Sequence, residues 1–363
     1  MASAIIKKLV LLPCSKLYGF ITYMRNQFFE WKLLPQHSFD VPVVVIGNIA
    51  VGGTGKTPHT EYVVEHLRHS FRIAVLSRGY KRKTKGFVLA TAESKPSDIG
   101  DESYQIYHKF DKKVIVAVCE DRVAGIRELQ RLYPDISLVV LDDAYQHRYV
   151  KPTVSIVLTE YNRPLYEDKM LPYGRLRELP QGILRADIVV ATKCPETMTD
   201  LDYSLFKTNL DLFAWQEVFF SRYTYQHLVP MFPDHSSSIP SLGWMDRNDS
   251  VLAVAGVENP RPFIRYLKSF MARVRVNIYS DHHAFTHRDM DTLLRRYQTM
   301  PGNTRILVTT EKDAVRMMAC PHFPEELKAV SYYLPVKVQF SSRGGQNFID
   351  TLVKHIKKPK KNF

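Results

Sequence analysis

The chain has 363 residues, and because a single hydrophobic core rarely grows past roughly 250–300 residues, this length predicts two domains. Hydrophobic residues make up 45% of the chain and aromatic residues 12%, a composition that excludes general disorder and allows sizeable cores. Fifty Lys and Arg against 37 Asp and Glu give a formal net charge of +13, which favours an anionic partner: a phosphate-bearing substrate, a nucleic acid or an acidic membrane surface.

An N-terminal amphipathic helical region is predicted at residues 1–34. Apolar side chains recur there at helical spacings of three and four: Leu17, Phe20, Ile21, Met24, Phe28 and Trp31. Two interpretations stay open, because the helix could pack on its own domain or lie in a membrane interface with its basic face toward water. No segment has the roughly 20 uninterrupted apolar residues that a spanning helix needs, so we expect no membrane crossing.

A phosphate-binding loop is predicted between a buried strand at Val41–Ile46 and a helix at Pro58–His69. Its residues are Ala50, Val51, Gly52, Gly53, Thr54, Gly55, Lys56 and Thr57. Glycines let backbone N–H groups surround phosphates, so we expect Lys56 to reach the β- and γ-phosphates and the Thr57 hydroxyl to bind Mg²⁺. The strict pattern begins with Gly rather than Ala50, but a small residue still fits. The strand, turn and helix together argue against a chance Gly-rich turn.

Further apolar runs alternate with helical patterns, which predicts an α/β fold with a parallel sheet of the P-loop NTPase type. The runs are Ile73–Leu76, Val114–Val118, Leu138–Leu141, Ser155–Leu158 and Ile188–Ala191. Asp142 and Asp143 follow the third run. In P-loop proteins an Asp at the end of a buried strand holds Mg²⁺, although an acidic pair after a strand is by itself more often a cap or turn. The Thr192-Lys193-Cys194-Pro195 turn lacks the Asp of the GTPase Asn-Lys-x-Asp motif, so ATP with Mg²⁺ is the predicted ligand pair.

A polar stretch at His235–Ser250 marks a composition change, and a second, smaller α/β pattern follows it. Two longer apolar runs flank this pattern, Glu217–Tyr225 and Tyr332–Phe340, and we expect them to pair as a linker. A helix near Gln346–Ile356 and a Lys-rich tail end the chain. The predicted division is a helical region 1–34, a P-loop kinase domain 35–215, a two-stranded linker 216–226 with 332–342, a smaller α/β domain 248–331, and a C-terminal helix with basic tail 343–363.

Short motifs occur along almost the whole chain: Leu12–Gly19, Gly47–Pro58, Ser77–Tyr80, Gly100–Glu102, Glu120–Arg122, Leu141–His147, Leu176–Glu178, Asp281–His283 and Thr310–Val315. As an ordered set they resemble the motifs of the tetraacyldisaccharide 4′-kinases, which phosphorylate the lipid A precursor. The resemblance implies transfer of the ATP γ-phosphate to the 4′-hydroxyl of an acylated glucosamine disaccharide 1-phosphate. It also implies two α/β domains joined by a two-stranded linker, and peripheral binding of the N-terminal helix to the cytoplasmic face of the bacterial inner membrane.

The resemblance implies roles for individual residues as well. Asp101 would be the catalytic base, and His282 would pair with it. The Mg²⁺ ligands would be Thr57, Asp142, Asp143 and Glu178, and Arg122 and His147 would line the site. An Asp beside a His is a reasonable base for a hydroxyl proton, but without the motif Asp101 also fits a helix cap. Departures from the family pattern at Ser103, Arg175 and Cys119–Glu120 bear on substrate contacts rather than on the chemistry.

Two other classes of function fit parts of the pattern. A regulatory P-loop ATPase at the membrane shares Gly-Gly-x-Gly-Lys-Thr, but it has a second lysine where this chain has Val51. A nucleic-acid binder would suit the charge, yet the basic residues are dispersed without interleaved aromatic motifs, so we expect no nucleic-acid partner. The basic loop Arg78–Lys85 is a candidate for binding a sugar phosphate or lipid head groups. Four cysteines without a CxxC pair indicate reduced thiols in a cytosolic protein, and we expect a monomer.

Overall fold

The computed structural model describes residues 7–110, 113–236, 241–270, 272–341 and 347–358, with the side chains of residues 7 and 8 left aside. Within these ranges the strands form two β-sheets. Parts of the predictions lie outside the described residues: residues 1–6 of the helical region, residue 342 of the linker, and Lys360 and Lys361 of the basic tail.

Helices and strands alternate along the chain. The first part contains a π-helix (Lys7–Leu11), α1 (Leu12–Glu30), β1 (Val43–Asn48), α2 (Lys56–Leu67), β2 (Ile73–Ser77), β3 (Val88–Leu89), α3 (Pro96–Ile99), α4 (Asp101–Phe110), β4 (Ile115–Val118), α5 (Arg122–Leu132), β5 (Leu138–Asp142), β6 (Val154–Glu160), β7 (Ile188–Thr192), α6 (Asp200–Asn209) and β8 (Glu217–Tyr225). The second part contains β9 (Val229–Pro230), β10 (Ser250–Ala255), α7 (Arg261–Lys268), β11 (Arg273–Ile278), α8 (His287–Gln298), β12 (Arg305–Thr310), α9 (Glu311–Met318), α10 (Glu325–Lys328), β13 (Ser331–Leu334), β14 (Val336–Phe340) and α11 (Phe348–Lys357).

The large sheet has the strand order β14-β8-β7-β6-β1-β5-β2-β4-β3 in the described part of the chain. Its central strands are parallel, as predicted, and β1, β2, β5 and β7 are buried at every residue. Burial on both faces explains why their sequences are continuous apolar runs. The register pairs Ile46 of β1 with Asp142 of β5, so the carboxyl ends of these two strands lie side by side.

Helices cover both faces of the large sheet. One core contains Ile126 of α5 and Phe206 of α6, whereas the other contains Val64 of α2, Ile106 of α4 and Leu352 of α11. The C-terminal helix therefore packs back onto the sheet that the first part of the chain builds. The predicted helix at Pro58–His69 begins two residues earlier, at Lys56, because the first turn of α2 continues directly from the Gly-rich loop.

The second sheet has the order β11-β10-β12-β13-β9 in the described residues, and its strands are parallel except for β9. The expected pairing of the two flanking runs is confirmed, since β8 and β14 pair antiparallel with Val336 opposite Tyr225. The run Tyr332–Phe340 is divided at Pro335, which has no N–H for a sheet ladder. Because β8 also pairs with β7, the linker strands extend the large sheet. The two sheets support the proposed division into domains, whose exact limits stay a prediction.

The N-terminal helix α1 contacts the protein through Ser15, Gly19 and Phe29 rather than through its apolar stripe. Ser15, Gly19 and Phe29 are buried, and the Ser15 hydroxyl donates to the Met170 carbonyl oxygen over 2.5 Å. Most of the predicted stripe faces outward: Leu17 and Phe20 are each 61% exposed, and Ile21, Phe28 and Trp31 are exposed too, whereas Met24 is half-buried. The stripe therefore does not pack on its own domain. No described helix is both long enough and apolar enough to cross a membrane.

Candidate active site

The loop between β1 and α2 has the backbone shape of a P-loop. Gly52 and Gly55 have φ angles of +111° and +95°, which residues with a side chain rarely adopt. A Cβ atom on Gly55 would also overlap the Tyr223 hydroxyl. Gly55 directly precedes α2, so the positive end of the helix dipole lies at the loop.

Hydrogen bonds from neighbouring segments fix this loop. The Asn48 side-chain amide donates to the Thr54 hydroxyl over 2.7 Å, and the Thr192 hydroxyl donates to the Thr54 carbonyl oxygen over 2.9 Å. The Val51 N–H donates to the carbonyl oxygen of Arg175 over 2.7 Å. Arg175, a departure from the family pattern, thus supports the loop through its backbone, and its side chain pairs with Asp168 at 3.1 Å.

A carboxylate from the second sheet lies in the P-loop. The Gly53 N–H donates to Oε2 of Glu258 over 2.5 Å, and a Cβ on Gly52 would lie 2.8 Å from Oε1. P-loop N–H groups are donors for phosphate oxygens, so Glu258 occupies the kind of position that an anionic ligand takes. No motif of the sequence marks Glu258, although its place shortly after the carboxyl end of the parallel strand β10 was a usable signal.

The predicted acidic pair lies beside the P-loop lysine. The Lys56 ammonium group is 3.6 Å from Oδ2 of Asp143, and Arg177 is 3.6 Å from Oδ1. Asp142 is only 4% exposed and accepts a hydrogen bond from the Thr60 hydroxyl of α2 over 2.8 Å. Burial, together with the neighbouring Asp143 charge, raises the pKa of Asp142 to about 6. Asp143 is therefore paired with two cations, whereas burial disfavours the charged form of Asp142.

This acidic pair fits a magnesium ion. The described residues contain no cluster of three or more His, Cys, Asp or Glu side chains that could hold a metal alone. Mg²⁺ normally needs no such cluster, since one or two carboxylates with substrate phosphates and waters complete its coordination. Oδ1 of Asp143 is buried and has no hydrogen-bond partner in the described part of the chain. Only the Arg177 guanidinium lies near this oxygen, at 3.6 Å, in the described residues, so it is a suitable Mg²⁺ ligand beside a P-loop.

Glu178 has contacts of a different kind. Its carboxylate is 1% exposed and pairs with Arg185 at 2.8 Å. It also accepts hydrogen bonds from the side-chain amides of Asn26 and Gln146, at 3.1 and 2.9 Å. Both of its oxygens are therefore engaged by protein groups, and one of them accepts from Asn26 of α1. These contacts favour a structural role, and the proposed metal role of Glu178 stays a prediction.

Arg122 and His147 lie in a buried basic region near the acidic pair. Burial, reinforced by the Arg78 charge, lowers the pKa of Arg122, although Asp143 opposes that shift. Burial and the Arg122 charge lower the pKa of His147 to about 4, so this imidazole is neutral at pH 7. The Arg122 Nε and His147 Nε2 atoms are buried without a hydrogen-bond partner in the described chain. The Arg122 Nε–H is thus available to an anionic ligand, and so is Nε2 of His147 in the tautomer that protonates this atom.

The candidate base Asp101 and its partner His282 come from different sheets and lie together. Oδ2 of Asp101, at the start of α4, is 3.3 Å from Nδ1 of His282, although the residues are 181 positions apart in sequence. Burial alone would raise the pKa of Asp101, but the hydrogen bond with His282 and the charge of Arg316 hold it below its usual value. Asp101 is therefore an ionised acceptor at neutral pH.

Two cations that our sequence analysis did not assign to the site complete this group. Arg316 donates from Nε to Oδ2 of Asp101 over 2.7 Å, and the Lys312 ammonium is 3.1 Å from Nε2 of His282. Both residues lie on α9, and Lys312 belongs to the Thr310–Val315 motif, which was the available signal. Periodicity could not assign them, because only the meeting of the two sheets brings α9 to Asp101.

The basic loop 78–85 contains one structural cation and several exposed ones. The Arg82 side chain is 3% exposed and pairs with Glu120 at 2.6 Å. Lys81, Lys83 and Lys85 are exposed. The Tyr80 ring packs edge-on against the His282 ring with centroids 5.4 Å apart, so the loop adjoins the candidate base.

Comparison with known proteins gives a consistent result. The family model described as tetraacyldisaccharide-1-P 4′-kinase matches residues 7–356. The tetraacyldisaccharide 4′-kinase of Bacteroides thetaiotaomicron is 42% identical over 359 residues, covering 97% of this chain and 94% of the relative. That of Flavobacterium johnsoniae is 40% identical over 353 residues, covering 96% and 97%.

A solved structure agrees with these sequence relatives. The crystal structure of LpxK from Aquifex aeolicus in complex with ATP has 25% sequence identity and a TM-score of 0.72, covering 97% of this chain and 99% of that one. This match confirms the predicted α/β fold. Because the family model and the relatives span nearly the whole chain, the chain belongs to the tetraacyldisaccharide-1-P 4′-kinase family.

Proposed function

We propose that this chain is an ATP-dependent kinase that transfers the γ-phosphate of ATP to the 4′-hydroxyl of an acylated glucosamine disaccharide 1-phosphate in lipid A biosynthesis. The observation that carries the proposal is the pairing of Asp101 with His282 at 3.3 Å. His282 lies in the loop after β11, and Glu258, in the loop after the adjacent strand β10, contacts the P-loop. Neighbouring loops of one sheet thus reach both the candidate base and the phosphate loop, which supports one shared cleft.

The nucleotide occupies the P-loop in this proposal. Backbone N–H groups of residues 50–57 surround the phosphates, and Lys56 neutralises charge on the transferring group. Thr57, Asp142 and Asp143 would hold Mg²⁺, which when bound neutralises further charge on the phosphates. The atoms with which these three side chains would coordinate Mg²⁺ are all oxygens, which this hard cation prefers. Arg122 would supply an N–H group to the anionic ligand, and His147 would supply one in its Nε2-protonated tautomer.

Asp101 accepts the proton of the 4′-hydroxyl as that oxygen forms its bond to the γ-phosphorus. The bond from the γ-phosphorus to the bridging oxygen breaks, and ADP leaves with the electron pair of that bond. Positioning of the two reactants contributes most of the acceleration in such a transfer, and a base contributes the proton acceptor.

The exposed stripe of α1 is the proposed contact with the membrane. Leu17, Phe20 and Ile21 are each more than half exposed, and Lys16 and Arg25 on the same helix are exposed cations. Large apolar side chains beside basic ones suit the interface of an acidic bilayer. We therefore propose peripheral binding at the cytoplasmic face of the inner membrane, where the lipid substrate would be met. One chain supplies both the P-loop and the Asp101–His282 pair, which supports action as a monomer.

A transfer assay tests the proposed function. The purified protein is given γ-labelled ATP and the acylated disaccharide 1-phosphate in mixed micelles, and we expect label on the lipid. Lys56→Ala should remove nearly all transfer at an unchanged unfolding temperature, whereas Lys207→Ala, an exposed lysine on α6, should not. Release of label only as free phosphate, with none on the lipid, would instead identify a regulatory ATPase.

A further inference from the structure

Arg316 occupies a fixed and nearly buried position against the candidate base. Its side chain is 6% exposed, and Nε donates to Oδ2 of Asp101 over 2.7 Å. The Nη1 atom donates to the Gly256 carbonyl oxygen over 3.2 Å and to Oδ1 of Asp313 over 3.0 Å. A guanidinium group that is held on several sides cannot rotate to follow Asp101, so it can determine where that carboxylate points.

Asp313 in turn fixes Arg316. Asp313 is fully buried, and its Oδ2 accepts from the Gly256 N–H over 2.8 Å and from the Thr310 hydroxyl over 2.7 Å. Its other oxygen is left for Arg316. The buried carboxylate is thus oriented by backbone and side-chain donors of the second sheet, and the guanidinium transmits that orientation across to α4 of the first.

His282 does not provide the charge that Asp101 faces. Nε2 of His282 is 3.1 Å from the Lys312 ammonium group, and Nδ1 is 3.1 Å from Nη2 of Arg316. Both cations can only donate hydrogen bonds, so at least one ring nitrogen must accept, and a doubly protonated ring does not fit. Because the imidazole is neutral in this arrangement, the positive charge beside Asp101 belongs to Arg316, with Lys312 farther away.

The two oxygens of Asp101 have different surroundings. Oδ2 faces both Arg316 and His282, whereas no described residue donates a hydrogen bond to Oδ1. An anchored oxygen beside a free one is the arrangement that a base needs in order to meet an acceptor hydroxyl at a fixed angle.

We propose that Arg316 is a positioning residue that anchors Oδ2 of Asp101, keeps this carboxylate ionised, and turns Oδ1 toward the acceptor hydroxyl. The inference rests on the proposed role of Asp101 as the base. It goes beyond an Asp–His pair, because it makes a cation of α9 the element that prepares Asp101, with His282 as a neutral partner.

Charge and geometry predict separable effects on the rate. Asp101 is faced by Arg316, His282 and Lys312, and removal of the Arg316 charge allows burial to raise the pKa of the carboxyl group. A base must be unprotonated to act, so the acid limb of the rate profile should then move to higher pH. A lysine at this position retains the charge but lacks the rigid fork of donors.

The experiment compares Arg316→Met, Arg316→Lys and, as the matched control, Met replacement of the exposed Arg265 on α7. For Arg316→Met we expect kcat to fall about 10- to 100-fold, the acid limb to move up by about one pH unit, and the KM for ATP to stay within about twofold. Arg316→Lys should restore the acid limb and part of kcat. The control should match the wild type.

Thermal unfolding and Asp101→Asn separate the remaining outcomes. A lower kcat for Arg316→Met with an unmoved acid limb and a lowered unfolding temperature would overturn the inference and leave a structural arginine. If Asp101→Asn abolishes transfer while Arg316→Lys behaves no better than Arg316→Met, the base assignment stands and the Arg316 inference fails. Normal transfer by Asp101→Asn would instead refute the base assignment itself.

Discussion

Glu258 should compete with ATP for the P-loop. Its carboxylate accepts a hydrogen bond from the Gly53 N–H over 2.5 Å, and that N–H belongs to the loop that must surround the phosphates. Binding of ATP therefore breaks this contact and places the triphosphate against a like charge. Removing the carboxylate should strengthen ATP binding without any new contact to the nucleotide.

The size of the effect follows from exposure. Glu258 is an exposed residue, so solvent screens its charge. Its contact with Gly53 therefore stabilises the ATP-free P-loop by about 0.5–1 kcal/mol, the range of surface ionic contacts. That range corresponds to a decrease of about 2- to 5-fold in the Kd for ATP of Glu258→Ala. Glu258→Gln retains an acceptor oxygen without the charge, so its Kd should lie between those of Glu258→Ala and the wild type.

Titration calorimetry with a non-hydrolysable ATP analogue at low and high salt measures the effect. The matched control is Gln replacement of Glu325, an exposed carboxylate of α10 that pairs with Lys328 at 2.6 Å. The gain of Glu258→Gln over wild type should shrink at high salt, because a screened charge repels less. An unchanged or raised Kd in both Glu258 variants would refute competition and would indicate that this carboxylate helps to hold the nucleotide complex.

Other predictions concern the metal site, the membrane and the base. Burial raises the pKa of Asp142 to about 6, so the ionised carboxyl group opposes folding above that pH. Without divalent ions, Asp142→Asn should therefore stabilise the fold at pH 7.5 by up to about 3 kcal/mol. Thermal unfolding should show that this gain shrinks below pH 6, and the variant should lose Mg²⁺-dependent transfer. Phe20→Asp should weaken co-sedimentation with acidic vesicles, whereas Leu201→Asp, an equally exposed site on α6, should not; equal losses would contradict an interfacial α1. Asp101→Ala and His282→Ala should each lower kcat, and the double variant should be little worse than the poorer single one; fully multiplicative losses would show separate roles.

Local patterns in the sequence determined much of the first sheet and its phosphate loop. Continuous apolar runs identified buried parallel strands, and a Gly-rich turn between strand and helix identified the P-loop. Both could be predicted because residues close together in the sequence determine the local structure of a buried strand and of a P-loop. The order of the short motifs identified the family. The pairing of β8 with β14 also followed from two flanking runs, although its continuation into the large sheet did not.

Only the tertiary structure decided which face of α1 is exposed and which side chains contact the candidate base Asp101. The apolar stripe of α1 predicted an amphipathic helix, but only the contact of Ser15 and Gly19 with Met170 shows that the stripe faces away from the protein. The contacts of Asp101 with Arg316 and of Gly53 with Glu258 join residues 215 and 205 positions apart. Periodicity and spacing report only on near neighbours along the chain, whereas these contacts depend on how the two sheets approach each other.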